Sequence, residues 1–143
     1  MKLAVVRVRG VRKVAPRIKM TMELLRLGKP NHCVLVEDTP QNLGMLSRAK
    51  DYVTYGPVKE ETVFSLLFKR GRVGASLLRQ CASEEEIKNA AKEIFSGKKT
   101  IDFANPVFKL SPPSKGYKDI KVNYPRGELG KRGELDSLLR KMI

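Results

Sequence analysis

The sequence predicts a mixed helix-and-strand fold in three parts. A β-α-β-α-β core occupies residues 1–57, a helical extension packed on that core occupies 58–97, and an extended basic tail over 98–143 ends in a short amphipathic helix. Three observations predict it. Apolar runs of strand length alternate with stretches of helical period up to Gly56-Pro57. Two further helical patterns then follow one another. From Lys98 onward Pro, Gly and Lys/Arg dominate, with too few apolar residues for a separate core.

The elements can be justified in order. Leu3 to Val8 is a strand, and alternation puts Ala4, Val6 and Val8 on one face and Leu3, Val5, Arg7 and Arg9 on the other. Gly10 is a turn residue, and Pro16 suits the first position of a helix, where no N–H is needed. Ile18, Met22 and Leu25 mark that helix's apolar face, with Gly28 expected to close it and Pro30 following. Cys33-Val34-Leu35-Val36 is a buried strand. Thr39 is an N-cap with Pro40 behind it, and Leu43, Leu46 and Ala49 follow at helical spacing. Tyr52-Val53-Thr54-Tyr55 is β-prone. Gly44 stands out, because glycine inside a helix costs about 1 kcal/mol against alanine. Either close helix–strand packing or a bulky partner approaching the backbone would account for it.

Beyond Pro57, Lys59 to Arg70 forms a helix with Val63, Phe64, Leu66 and Leu67 on one face. Its order of charge, Glu60-Glu61 first and Lys69-Arg70 last, complements the helix dipole. Ser83 and Glu86 make a capping box for a helix whose stripe is Ile87, Ala90, Ala91 and Ile94. In the tail, Asn105 to Leu110 can form only a short extended piece, and residues 111–133 are expected to take their shape on a partner. The last helix, Glu134 to Ile143, must dock Leu135, Leu138, Leu139 and Met142 on the rest of the chain, because a helix this short is marginal alone.

Charge carries the functional signal. The 143 residues hold 29 Lys and Arg against 15 Asp and Glu, a formal net charge of +14. Residues 1–35 hold 9 basic and 1 acidic side chain, residues 36–97 hold 9 of each, and residues 98–143 hold 11 and 5. Two basic ends flank a neutral middle. Clustered cations of this kind are the electrostatic footprint of a polyanion binder. Arg12, Lys13, Arg17 and Lys19 crowd a strand-to-helix loop and the first helical turn, where cations oppose the dipole and a phosphate would relieve the conflict. In the tail, tyrosines interleave with cations, which suits stacking on unpaired bases beside phosphate contacts. The candidate RNA-binding residues are therefore Arg7, Arg9, Arg12, Lys13, Arg17, Lys19, Arg70, Arg72, Lys109, Lys115, Tyr117, Lys118, Lys121, Tyr124, Arg126, Lys131 and Arg132.

Catalytic chemistry is not indicated. His32 and Cys33 are adjacent in a strand and point to opposite faces, so they cannot act as a base and nucleophile pair. There is no phosphate loop, no dinucleotide fingerprint and no His/Cys spacing for a metal. The expectation is an RNA-binding protein without cofactor, metal, membrane contact or small-molecule substrate. A chromosomal DNA-binding protein or nucleic-acid chaperone is the rival class, but cations placed in loops and an extended tail favour irregular RNA. No run reaches the ~20 apolar residues of a membrane span, and a cytosolic protein is expected.

The block Glu37-Asp38-Thr39-Pro40…Gly44-Met45, placed after a strand and a glycine-bounded helix, resembles the large-subunit ribosomal protein L-thirty family. The tail Pro106-Val107-Phe108-Lys109-Leu110-Ser111-Pro112-Pro113…Gly116…Ile120-Lys121…Gly127…Leu129-Gly130…Arg132-Gly133-Glu134 resembles the extension of that family's archaeal form. The resemblance implies an α+β fold of ferredoxin-like type, with a three-stranded antiparallel sheet carrying both core helices on one face. It also implies a structural role in the large ribosomal subunit, contact with the large rRNA and with neighbouring ribosomal proteins, and proximity to 5S rRNA. The family's RNA-contacting first loop maps onto Arg9, Arg12, Lys13, Arg17 and Lys19.

Overall fold

A five-stranded sheet divides the molecule into two apolar cores. The computed structural model describes residues 1–10, 12–97 and 104–143. Val11, within the basic first loop, and residues 98–103, which open the expected tail, lie outside the described residues.

The centre of the sheet is β1 (Lys2–Arg7), flanked by β2 (His32–Glu37) and β3 (Val53–Pro57), both antiparallel to it. In register, Val5 faces Val34 on one side and Tyr55 on the other, and Ala4 faces Leu35 and Gly56. Strand alternation then sorts the side chains. Leu3, Val5, Val34, Val53 and Tyr55 face one core, and Ala4, Val6 and Cys33 face the second. The first core is covered by α1 (Pro16–Leu24) and α2 (Pro40–Ala49), through Met22, Leu25, Leu46 and Ala49. This is the β-α-β-α-β arrangement with both helices on one face.

The second face is covered by α3 (Glu60–Arg70), which is followed by a two-stranded ribbon, β4 (Arg72–Val73) and β5 (Ser76–Leu77). A short helix α4 (Leu78–Cys81) then leads into α5 (Glu84–Ser96). Val63, Leu66, Leu67, Leu78, Ile87, Ala91 and Ile94 fill that core. The local signals hold here. Thr39 Oγ1 accepts from the Asn42 amide at 3.3 Å, and Ser83 and Glu86 form the reciprocal capping box.

The last helix docks on the domain as expected, and residues 111–133, which were expected to take their shape on a partner, are also held against it. Val107–Lys109 forms β6, antiparallel to β2, and Gly130–Lys131 forms β7, parallel to β3, so the tail supplies both sheet edges. Asp136–Met142 forms α6, and Leu135, Leu138, Leu139 and Met142 are buried together with Phe108 and Leu110. The physical reason is that the tail needs no core of its own. Each of these side chains joins the existing second core, at about 1.5–3 kcal/mol per fully buried apolar residue. Gly56 permits the approach at β7, because a Cβ there would sit 2.9 Å from the Arg132 carbonyl oxygen.

Two smaller expectations are corrected. Gly28 does not close α1. Arg26 does, at φ 60°, with its amide donating to Glu23 O and the Leu27 amide to Met22 O in a Schellman motif sealed by the buried Leu27 and Met22. The 6→1 and 5→2 bonds and the apolar seal hold the arginine in a conformation glycine would adopt freely. Gly44 is not explained by helix–strand packing, since a Cβ built there meets nothing within 4 Å. It lies on the exposed side of α2.

Candidate nucleic-acid interface

Strand direction brings the two basic ends of the chain to one end of the sheet. β1 leaves the sheet at Arg7 and runs into the Arg9–Lys13 segment. At that same end β2 begins at His32, β3 begins after Tyr52, and β6 finishes at Lys109, which is paired with His32. The loop before β7, residues 117–129, returns there too, through a hydrogen bond of 2.7 Å from the Tyr117 hydroxyl to Asn31 Oδ1. Charges 100 residues apart in sequence are thus neighbours. Burial, and then three nearby cations, Lys109, Lys29 and Arg7, hold the His32 pKa below its ordinary value.

Burial decides which cations are available. Arg7 is not, because its guanidinium donates from Nη1 to Leu27 O at 2.7 Å, from Nε to Arg9 O at 3.0 Å and from Nη2 to Gly10 O at 3.0 Å. It is 5% exposed and fixes the turn that follows β1. Burial lowers its pKa, an effect Tyr52 partly offsets. Arg132 is also interior. It pairs with buried Glu128, and its Nε donates to Thr54 Oγ1 at 3.0 Å. Arg70 donates to the Ile143 carbonyl oxygen and to Ser111 Oγ, which ties the end of α6 to α3. Tyr117 is half-buried, and burial pushes its hydroxyl up to about 12. In these four residues the donors or rings already serve the fold.

The remaining candidates are open to a ligand. Arg12, Lys13, Arg17 and Lys19 are exposed around the first loop and α1, and Arg72 is exposed on the β4–β5 ribbon. Lys109, Lys115, Lys118, Lys121, Arg126 and Lys131 are exposed on the tail. Arg9 is half-buried, with its guanidinium carbon 5.1 Å from the centroid of the Tyr52 ring. Tyr124 is 49% exposed and carries the Arg132 guanidinium on its inner side at 4.9 Å. Ile120 and Val122 of the same loop are exposed as well. Tyr52 was missed. Its only mark in the sequence was β propensity.

The tail loop is held by the Glu128 carboxylate and by its own backbone, not by the cations that face outward. Glu128 Oε1 accepts from the Lys118 amide at 3.3 Å and the Glu128 amide donates to Asp119 O at 3.0 Å. Gly127 makes the close crossing possible, since a Cβ there would overlap the Val122 carbonyl oxygen. Among the described residues there is no group of His, Cys, Asp and Glu able to hold a metal, and no helix is long and apolar enough to cross a membrane.

Fold and surface together define a class: an α+β domain of ferredoxin-like core, thickened by the tail, with one cationic end. The family model for ribosomal protein L30p/L7e matches residues 3–53. A protein of Archaeoglobus fulgidus named "Large ribosomal subunit protein uL30" is 44% identical, over 97% of this chain and 98% of its own length. Proteins of the same name from Methanobrevibacter smithii and Methanococcus maripaludis are 38% and 39% identical, the latter over the full length of both chains. The chain belongs to the ribosomal protein L30p/L7e family, whose members are structural proteins rather than enzymes.

Proposed function

We propose that the protein is a cytoplasmic, structural constituent of the large ribosomal subunit that braces folded rRNA through the cationic end of its sheet. The observation that carries this reading is the convergence of the Arg9–Lys19 segment and the tail loop at one end of the sheet, with exposed cations. The large rRNA is the main partner, with 5S rRNA and neighbouring ribosomal proteins as the further partners that the family resemblance implies. The mechanism is charge neutralisation by a surface of fixed shape. Lys13, Lys19, Lys118 and Lys121 act as point charges, while Arg12, Arg17 and Arg126 offer bidentate grip on phosphate oxygens.

The test is the salt dependence of binding to transcribed large-subunit rRNA, wild type against the double variant Arg12→Ala/Arg17→Ala. Both side chains are exposed, so thermal stability should not change. Loss of two phosphate contacts should flatten the plot of log K against log salt by about 1.4–1.8. That corresponds to roughly 25- to 60-fold weaker binding at about 0.1 M salt and only about 5- to 9-fold at about 0.3 M. An unchanged slope would remove the first loop from the interface.

A further inference from the structure

We propose that Arg9 and Tyr52 form a receiving platform for one unpaired nucleotide base, with Arg12 and Lys13 on the phosphates either side of it. The inference rests on the RNA-binding reading and adds which feature of the RNA this end of the sheet selects.

The platform is built, not accidental. Two backbone bonds, from the Val8 and Arg9 amides to the Tyr52 carbonyl oxygen at 2.9 and 3.2 Å, lock the end of β1 against the start of β3. Arg9 therefore leaves the sheet directly over the Tyr52 ring, at the 5.1 Å separation of a cation–π contact. Arg7, two residues earlier, gives all its hydrogen bonds to carbonyl oxygens of its own chain. Arg9 does not, and among the described residues no carboxylate pairs with Arg9, Arg12 or Lys13. A shallow cavity lined by Arg9, Gly10, Arg12, Lys13, Pro30 and Tyr52 lies beside the pair.

This chemistry has a preferred ligand. A guanidinium seated over an aromatic ring leaves its outer side and its unfilled N–H donors to a ligand. A nucleobase can stack on that side and accept from those donors. A base inside an A-form duplex cannot, because its faces are covered by its neighbours and its major-groove edge is out of reach. An unpaired base, from a bulge or a loop, meets the geometry. The two adjacent cations suit the backbone on each side of such a nucleotide, and neither discriminates between bases.

The experiment uses the full-length protein and two short RNA hairpins, one with a single bulged 2-aminopurine and one fully paired. Wild type should bind the bulged hairpin about 5- to 160-fold more tightly, the range for one base stacked on a protein surface, and quench the 2-aminopurine fluorescence. Tyr52→Leu should abolish the preference and the quenching but keep the salt slope. Tyr52→Phe, which keeps the ring, should retain both, and it guards against a loss caused by misfolding. Arg12→Ala/Lys13→Ala should weaken binding to both hairpins and reduce the slope while quenching persists at saturation. Equal binding of the two hairpins by wild type, or an unaltered preference in Tyr52→Leu, overturns the platform and leaves RNA binding standing. Failure of wild type to bind either hairpin at low salt overturns both readings.

Discussion

Replacing Asp136 with alanine should destabilise the protein by about 3 kcal/mol, although the residue lies at the start of a seven-residue helix near the chain's end. Asp136 is 3% exposed, and its Oδ1 accepts both a short hydrogen bond from the Thr62 hydroxyl and one of 3.2 Å from the Lys59 amide. Lys59 is the N-cap of α3 and supplies no side-chain cap of its own, so a carboxylate from 77 residues away does that work. The Thr62 hydroxyl, 2% exposed, loses a bond to a charged group, about 1.5–3 kcal/mol. The Lys59 side chain is exposed and water can partly replace its amide's partner, so that bond adds only about 0.5 kcal/mol. The interaction of the charge with the α3 dipole adds about 0.3–1 kcal/mol. The sum, about 3 kcal/mol, corresponds to a fall in Tm of about 10 °C for a chain of this size. Asp136→Asn keeps an acceptor oxygen and loses the charge, and should cost about 1 kcal/mol. Urea unfolding measures both. In a double-mutant cycle, Thr62→Val and Asp136→Ala should couple by about 1.5 kcal/mol. Alanine and asparagine variants of equal stability, or an alanine variant within about 0.5 kcal/mol of wild type, would refute the tertiary cap.

Two further predictions follow from open space and from its absence. Gly44→Ala should stabilise the free protein by about 0.5–1 kcal/mol, raising Tm by about 3 °C, because the helix gains a better former and the new methyl meets no atom. The same variant binds rRNA normally unless a partner lies against that side of α2, which matched titrations would reveal. Cys33 is fully buried, and burial pushes its thiol up to about 12 from an ordinary value near 9. A disulfide reagent at about pH 8 should therefore label exposed Cys81 at once and Cys33 only on unfolding. Because the folded pKa is raised, the stability Cys33 contributes is complete below about pH 9 and is lost as pH rises toward 12. Urea midpoints of wild type and Cys33→Ala across that range check the sign.

What the sequence revealed was whatever is decided locally. The Thr39 cap, the Ser83–Glu86 box and Pro16 at the start of α1 each concern atoms a few residues apart. Alternation in β1 separated Leu3 and Val5 from Ala4 and Val6 correctly, since period two is a property of any strand. The edge strands were out of reach. β7 is two residues long, Gly130-Lys131, and exists because Tyr55 offers a carbonyl to the Arg132 amide at 2.8 Å. No local pattern encodes that partner. Arg7 was legible in principle, because it shares a strand face with Leu3 and Val5 and so points inward. Arg132 had a weaker signal, the Glu128 four residues before it in a chain poor in acids. Gly28 misled because glycine is the common closing residue of helices, while here the seal between Met22 and Leu27 placed Arg26 in that role.

The division of labour among arginines offsets the self-repulsion of a chain with net charge +14. Cations concentrated at one end of a sheet repel one another, and self-repulsion destabilises the compact state. Arg7 and Arg132 work against that repulsion. Each is desolvated at the base of the charged end, and each meets acceptors of its own chain: three carbonyl oxygens for Arg7, and Glu128 with Thr54 for Arg132. Their hydrogen bonds tie down the two segments that display the outward cations, the first loop through Leu27 and Gly10, and the tail loop through Glu128 and β3. The outer residues can then stay unpaired at little structural cost, because the backbone beneath them is held by the inner ones. Removing an inner arginine should therefore loosen the display, whereas removing an outer one should weaken the proposed RNA binding and leave the fold intact. Charge total alone cannot separate these roles. Burial does.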